Sequence, residues 1–172
     1  MREISNELSI PNISTKGGAN AFVLGIIFNQ AQRANLAWSA PSKLRKRLGT
    51  LDPAKVVAMP RSAIRAAFRD PPAIHRLTNV MAKYFEGAWA HLAQKYRGDA
   101  RNIWSDSPTA RELLDRLTEF PGIGPHKAEV AIFLLTVEFG IPVVKDKMRI
   151  RIDHSCPALY ERYAPIAEPY YS

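Results

Sequence analysis

The sequence predicts an all-α protein, on three observations. Prolines punctuate helix-length runs, those runs repeat apolar residues at three- and four-residue steps, and strand-like alternation is confined to one short stretch near the end. At 172 residues and 47% hydrophobic the chain is the size of one domain, or of two small lobes sharing a core, and can bury that core unaided. Helices are expected at about 19–33, 41–48, 53–58, 61–69, 72–96, 108–118 and 126–139, each bounded by a turn signal.

Taken in order, the first run, Ala19 to Phe28, is nearly all apolar and ends in Asn29 and Gln30, too short to span a bilayer. Pro41 stands where the second helix would begin, and Asp52-Pro53 and Asp70-Pro71 each set a carboxylate at an N-cap before a ring that lacks an N–H. Ser107-Pro108 repeats the device. Over 72–96, Ile74, Leu77, Met81, Phe85, Ala88 and Leu92 form one apolar stripe, leaving Arg76, Lys83 and Glu86 for solvent. The 126–139 run is apolar nearly all round (Val130, Ala131, Ile132, Phe133, Leu134, Leu135, Val137), which predicts a central helix with neighbours on every side. Past Gly140 the pattern allows a loop, a short strand and a last helix at about 157–163. No repeat, low-complexity tract or flexible linker separates two domains.

Charge narrows the partner. Lys and Arg number 24 against 16 Asp and Glu, giving +8 and a pI near 9.8, so nucleic acid leads and an anionic membrane surface is the weaker rival. Met1–Gly17 lacks the basic-then-apolar plan of a signal peptide, which predicts a cytoplasmic, nucleoid-associated protein with no membrane partner. The single cysteine, Cys156, excludes an intramolecular disulfide and any zinc or iron–sulfur site built from four cysteines of this chain; no metal or other cofactor is expected.

The most informative stretch is Phe120-Pro-Gly-Ile-Gly-Pro-His-Lys127, between the helix ending near Leu117 and the central helix. Gly122 and Gly124, flanking Ile123, permit backbone angles closed to side chains and bare N–H groups at a helix start, where the macrodipole also favours an anion. The stretch predicts phosphate binding, with Lys127 adding charge and His126 near a phosphate; the alternative is a tight structural turn. Arg45 and Lys46, with Arg47, form a basic turn able to track phosphates or merely to face water. On this reading affinity for DNA falls steeply with added salt, by counterion release, and a flat titration would remove DNA as the partner.

The hairpin, the apolar run from Ala21 to Gln30, and the stretch from Ile74 to Asp99 together resemble the helix-hairpin-helix DNA glycosylases of the endonuclease III type, the HhH-GPD superfamily, over roughly residues 20–155. Segments 39–41, 47–49 and 72–76 are similar to a bacterial branch without the iron–sulfur cluster. The resemblance implies a compact helical bundle of two lobes with a DNA cleft. Residues 1–19 would pack on the second lobe, 20–145 would form the helical domain with the hairpin at 118–128, and 146–172 would carry the catalytic loop and a short C-terminal segment. It also implies monofunctional base excision from duplex DNA carrying a damaged or modified base, since His126 stands where bifunctional members carry a lysine. A non-catalytic DNA-binding module and an abasic-site lyase are the alternatives. Which base is excised and the oligomeric state have no linear signature.

Base excision passes through an oxocarbenium-like state that needs a carboxylate near the anomeric carbon. The resemblance implies an aspartate about twenty residues beyond the hairpin, which selects Asp146 after Gly140-Ile-Pro142. Asp153, in Ile152-Asp-His-Ser, is the competitor, and a solvated surface charge is the third alternative. The resemblance implies that Gln30, with Asn29 beside it, fills the gap left by an extruded base; the alternative is a helix C-terminal glutamine with its amide in solvent. Trp38, Tyr84, Trp89 and Trp104 are the candidates for stacking on that base. In the resembled family further C-terminal helices close the far wall of the cleft; here Met1–Lys16 with Pro157–Ser172, or another subunit, would have to do so, or the site is incomplete.

Overall fold

The computed structural model describes residues 8–148, 150–159 and 161. They form an all-α bundle without a strand; one isolated parallel bridge joins Thr109 to Val144. The helices are α1 (Lys16–Phe28), α2 (Ala34–Leu48), α3 (Pro53–Val57), α4 (Arg61–Arg69), α5 (Thr78–Tyr96), α6 (Ala110–Thr118), α7 (Pro125–Phe133) and α8 (Ile152–Ser155), with a 3-10 turn at Ala100–Ile103. Expectations for Met1–Glu7 and for the chain after Glu161 lie outside the described residues. No described helix is long and apolar enough to cross a membrane.

Helix α1 is buried almost all round, from Phe22 through Phe28, because its sequence offers no polar face. Thr15 caps it, its hydroxyl accepting from the Gly18 N–H at 3.1 Å. The buried Asn20 amide donates to the Gly98 carbonyl at 2.9 Å and accepts from the Ala100 N–H at 2.8 Å, tying the end of α5 to α1. A methyl on Gly25 would stand 2.3 Å from Trp38, so this glycine sets how closely α2 approaches α1. Helix α7 packs against α1, α6 and α8, as its apolar sequence predicts.

Several boundaries differ from the sequence expectation. Helix α1 stops at Phe28 instead of running to 33, where Asn29 turns its N–H back to Gly25 and Ile26 carbonyls. Pro41 does not open α2 but lies inside it, seven residues beyond Ala34. Helix α5 starts at Thr78, not at Pro72, because the 70–77 loop has better partners elsewhere: Arg47 donates to the carbonyls of Ala67 (2.7 Å), Asp70 (2.7 Å) and Pro72 (2.6 Å). Asp70 accordingly ends α4 instead of capping α5. Thr109, not Ser107, caps α6 through a reciprocal capping box with Glu112. The central helix widens into a π-helical turn at Leu134–Glu138, where the Thr136 hydroxyl donates to the Ile132 carbonyl at 2.8 Å.

Arg47 is thus a clamp on the end of α4 and not a phosphate-tracking side chain. Replacing it with Met leaves three carbonyls without their cation and is expected to lower stability by about 2 kcal/mol, or roughly 4–8 °C in Tm for a chain of this size. Thermal unfolding followed by circular dichroism measures it.

Candidate nucleic-acid interface

Three segments meet at one end of the bundle: the 119–124 hairpin before α7, the end of α1, and the 70–77 loop. Gly122 lies at φ +89°, in the region that favours glycine, and an added methyl would stand 2.7 Å from the Tyr84 ring and 3.1 Å from Ile27. Gly124 is different: nothing lies within 4 Å of the position its methyl would take. The first glycine makes the turn fit its neighbours, and the second leaves the turn open to approach. Ile123 and Phe120 are buried and anchor the hairpin in the core. Pro125 opens α7 at its first position, where a missing N–H costs nothing. An open cavity of about 500 Å³ covers this surface, lined among others by Gln30, Tyr84, Gly122, Ile123, Gly124 and Lys127.

Lys127 turns inward, against the expectation that its charge reaches out to a phosphate. Its Nζ donates to the carbonyls of Ile27 (2.7 Å) and Gly122 (2.9 Å) and to Gln30 Oε1 (3.1 Å). Burial pushes its ammonium down to about 8. Gln30 lies just beyond α1, exposed, with its N–H held by the Phe28 carbonyl at 2.8 Å. Asn29 is the half-buried cap of the same helix. The buried His75 joins the 70–77 loop to this corner: its Nε2 lies 3.1 Å from the Phe28 carbonyl and its Nδ1 accepts from the Leu77 N–H at 2.9 Å. That pattern requires the neutral imidazole with the proton on Nε2, and burial lowers the His75 pKa accordingly.

The two candidate carboxylates sit in different places. Asp146 accepts from the N–H of Arg111 at 2.9 Å and of Met148 at 2.7 Å, so it covers the N-terminus of α6. The Arg111 N–H holds its carboxyl below the usual carboxylate range. The nine-residue α6 separates that point from the hairpin by about 13 Å at 1.5 Å per residue. Asp153 stands on α8, paired with Arg151 at 3.4 Å, and its neighbour His154 stacks on His126 of α7 with ring centroids 5.6 Å apart. His75 and His154 are the two histidines of this corner without a sequence signal of their own, beyond the adjacency of His154 to Asp153.

Of the four aromatic candidates, Tyr84 lines the hairpin cavity and the tryptophans do not. Trp89 is fully buried against Phe85 and donates to the Leu51 carbonyl at 2.9 Å, and the buried Trp38 and Trp104 both pack on Phe22, one stacked and one edge-on. Arg45 and Lys46 are exposed on the last turn of α2. Arg45 lines a separate cavity with Lys16 and Gly17 at the start of α1, the end opposite Gln30.

This order of helices, with a glycine hairpin leading into a buried central helix, has counterparts among solved structures. The fold resembles that of endonuclease III. The protein chain of a non-covalent endonuclease III–DNA complex aligns with a TM-score of 0.51 at 17% identity, covering 88% of this chain and 63% of its own. That of a trapped endonuclease III–DNA covalent intermediate, an estranged-adenine complex, gives 0.50 at 18% identity, covering 81% and 57%. The present chain therefore spans less than two thirds of the length of these endonuclease III chains. No family model matches the sequence, and no curated protein matches it.

Proposed function

We propose that the protein is a DNA glycosylase of base excision repair: it grips duplex DNA through the hairpin, extrudes a damaged or modified base and hydrolyses its N-glycosidic bond. The observation that carries this reading is the His126–His154 stack, which sets the carboxylate-bearing helix α8 against the helix that the hairpin opens. A backbone-bared turn for phosphate, an exposed amide at Gln30 to fill a vacated stack and an adjacent carboxylate are the parts such a reaction needs.

Between the two aspartates the geometry favours Asp153. Both oxygens of Asp146 are engaged by backbone N–H groups about a helix length from the hairpin, which suits a helix cap. Asp153 is exposed and answered by one arginine, so its charge is available to a cation developing on a sugar. In the proposed reaction the C1′–N bond breaks, the base leaves with the bonding pair and a proton, and water held by the carboxylate adds at C1′. Of the four candidate aromatics, Tyr84 is the one that lines the hairpin cavity a base would enter.

The test is a panel of labelled duplexes, each with one lesion, incubated with protein and treated with hot alkali to break the strand at abasic sites. Release from one lesion supports the reading; binding without release on every duplex favours a non-catalytic module.

A lyase would need a free amine at the sugar. Lys127 has the lowered pKa that suits a nucleophile, yet three acceptors hold its nitrogen inward. Borohydride treatment of the protein on abasic DNA is expected to trap no covalent complex. A trapped complex lost in Lys127→Met would transfer the assignment to an abasic-site lyase.

A further inference from the structure

We infer that the groove between α4 and α5, beside the hairpin, is a second seat for the DNA backbone, with Arg65 and Lys83 as its phosphate ligands. The inference rests on the reading that the protein binds duplex DNA. It assigns salt-sensitive affinity to a surface apart from the hairpin itself.

The hairpin offers little outward positive charge. Around its cavity Glu119 is an anion held by Lys95, and the ammonium of Lys127 is turned inward onto the Ile27 and Gly122 carbonyls and Gln30 Oε1. In the adjoining 70–77 loop, Arg76 is exposed but spends an N–H on the Ala31 carbonyl at 3.2 Å. A polyanion drawn to this corner therefore needs cations from a neighbouring surface.

The α4–α5 groove has them. Its cavity of about 540 Å³ is bounded by Ile64 and Arg65 on α4 and by Lys83 and Gly87 on α5, and it shares Tyr84 and Pro121 with the hairpin cavity. The two openings adjoin across one phenol ring and one proline. Arg65 and Lys83 are exposed, and neither has an ion-pair partner among the described residues. Arg61 on the same rim is already answered, its Nε 3.4 Å from Glu86 Oε2. Arg69, about 6 Å beyond Arg65 along α4 at 1.5 Å per residue, continues the exposed basic row toward the 70–77 loop.

This lining fits a sugar–phosphate strand. One unpaired cation on each wall can take a phosphate, and the apolar side chains of Val56, Met59 and Ile64 suit the sugar carbons between charges. An acidic protein segment would also answer the cations. DNA is favoured because the groove adjoins the turn that bares its N–H groups, so one strand can run from one to the other. Each phosphate neutralised adds about −0.9 to the slope of log affinity against log salt. Two contacts add about −1.8, which is about sixtyfold in affinity at about 0.1 M salt and vanishes near about 1 M.

The experiment titrates binding of an undamaged duplex against salt over that range for the wild type, Arg65→Gln/Lys83→Gln and Arg45→Gln/Lys46→Gln. The second pair removes the same charge from the exposed last turn of α2, away from the groove. All four side chains are exposed, so thermal unfolding is expected to be unchanged in both variants. The groove variant is expected to bind about sixtyfold more weakly at about 0.1 M salt, with a slope shallower by about 1.8, and to rejoin the wild type near about 1 M. The α2 variant is expected to follow the wild type. A groove variant with the wild-type slope overturns the inference and leaves the groove to another partner, such as an acidic protein segment. An equal loss in the α2 variant overturns it too, since net charge and not the groove would then set the affinity. A wild type that does not bind duplex, or whose titration is flat, overturns the reading on which the inference rests.

Discussion

Asp153→Asn is expected to slow base release by about a thousandfold, within the usual range for losing one positioned acid–base or charge-stabilising group, with DNA binding retained. The amide keeps the size and the hydrogen-bonding reach of the carboxylate but removes the charge that answers the oxocarbenium ion. Asp146→Asn is the informative companion. Its carboxylate accepts two backbone N–H bonds at the start of α6 and at Met148, so its loss is expected to lower stability by about 1 kcal/mol, as for a helix cap, and to leave the rate of base release within a few fold of wild type. Alkali-revealed strand breaks on the responsive duplex, read in parallel with thermal unfolding, separate the two. The opposite pattern, with release lost in Asp146→Asn and kept in Asp153→Asn, would return the chemistry to Asp146.

Asp146 also makes stability depend on pH. The Asp146 carboxyl is held below its unfolded value by the Arg111 N–H, so its contribution to stability is complete above the ordinary carboxylate range and is lost as pH falls through the lowered folded value. The sign follows from the direction of the shift: the unfolded chain takes up the proton first.

Gly122→Ala and Gly124→Ala, two residues apart, are expected to fail in different ways. At Gly122 the backbone is left-handed at φ +89°, and a methyl would stand 2.7 Å and 2.9 Å from two ring atoms of Tyr84. The conformational cost of about 1–2 kcal/mol adds to an overpacking cost of about 1–3 kcal/mol, so a loss of about 2–5 kcal/mol is expected, and DNA binding falls with the hairpin. At Gly124 φ is −88° and no atom lies within 4 Å of the new methyl, so thermal stability is expected to stay within about 0.5 kcal/mol, as at an open surface site. If the hairpin takes a phosphate, that methyl stands in its approach and affinity for duplex DNA drops about tenfold, the loss of one charge-assisted hydrogen bond. Equal affinities for wild type and Gly124→Ala would show that DNA does not use this turn.

The helical class, the apolar surround of α1 and α7 and the bounds of α4 at Arg61–Arg69 were legible because each rests on local periodicity, which acts within a few residues. The hairpin was legible for the same reason, as two glycines at fixed spacing before a helix. The Thr109 cap has a sequence signal too, Glu112 three residues on, although Ser107-Pro108 offers a competing one two residues earlier. Burial of the three tryptophans, the start of α5 and the choice between Asp146 and Asp153 were not legible, because each depends on groups far away in the chain. Asp146 is occupied by an N–H 35 residues before it, and the 70–77 loop is held by Arg47, 20 to 25 residues upstream. Lys127 is the sharpest case: by sequence it is a cation expected to reach out from a glycine turn, and in the structure it binds a carbonyl 100 positions earlier. Residue type determined that an amine would stand at the start of α7. Where it points was decided by acceptors that only tertiary packing brings within reach, since a hydrogen bond is satisfied by distance in space and is indifferent to separation along the chain.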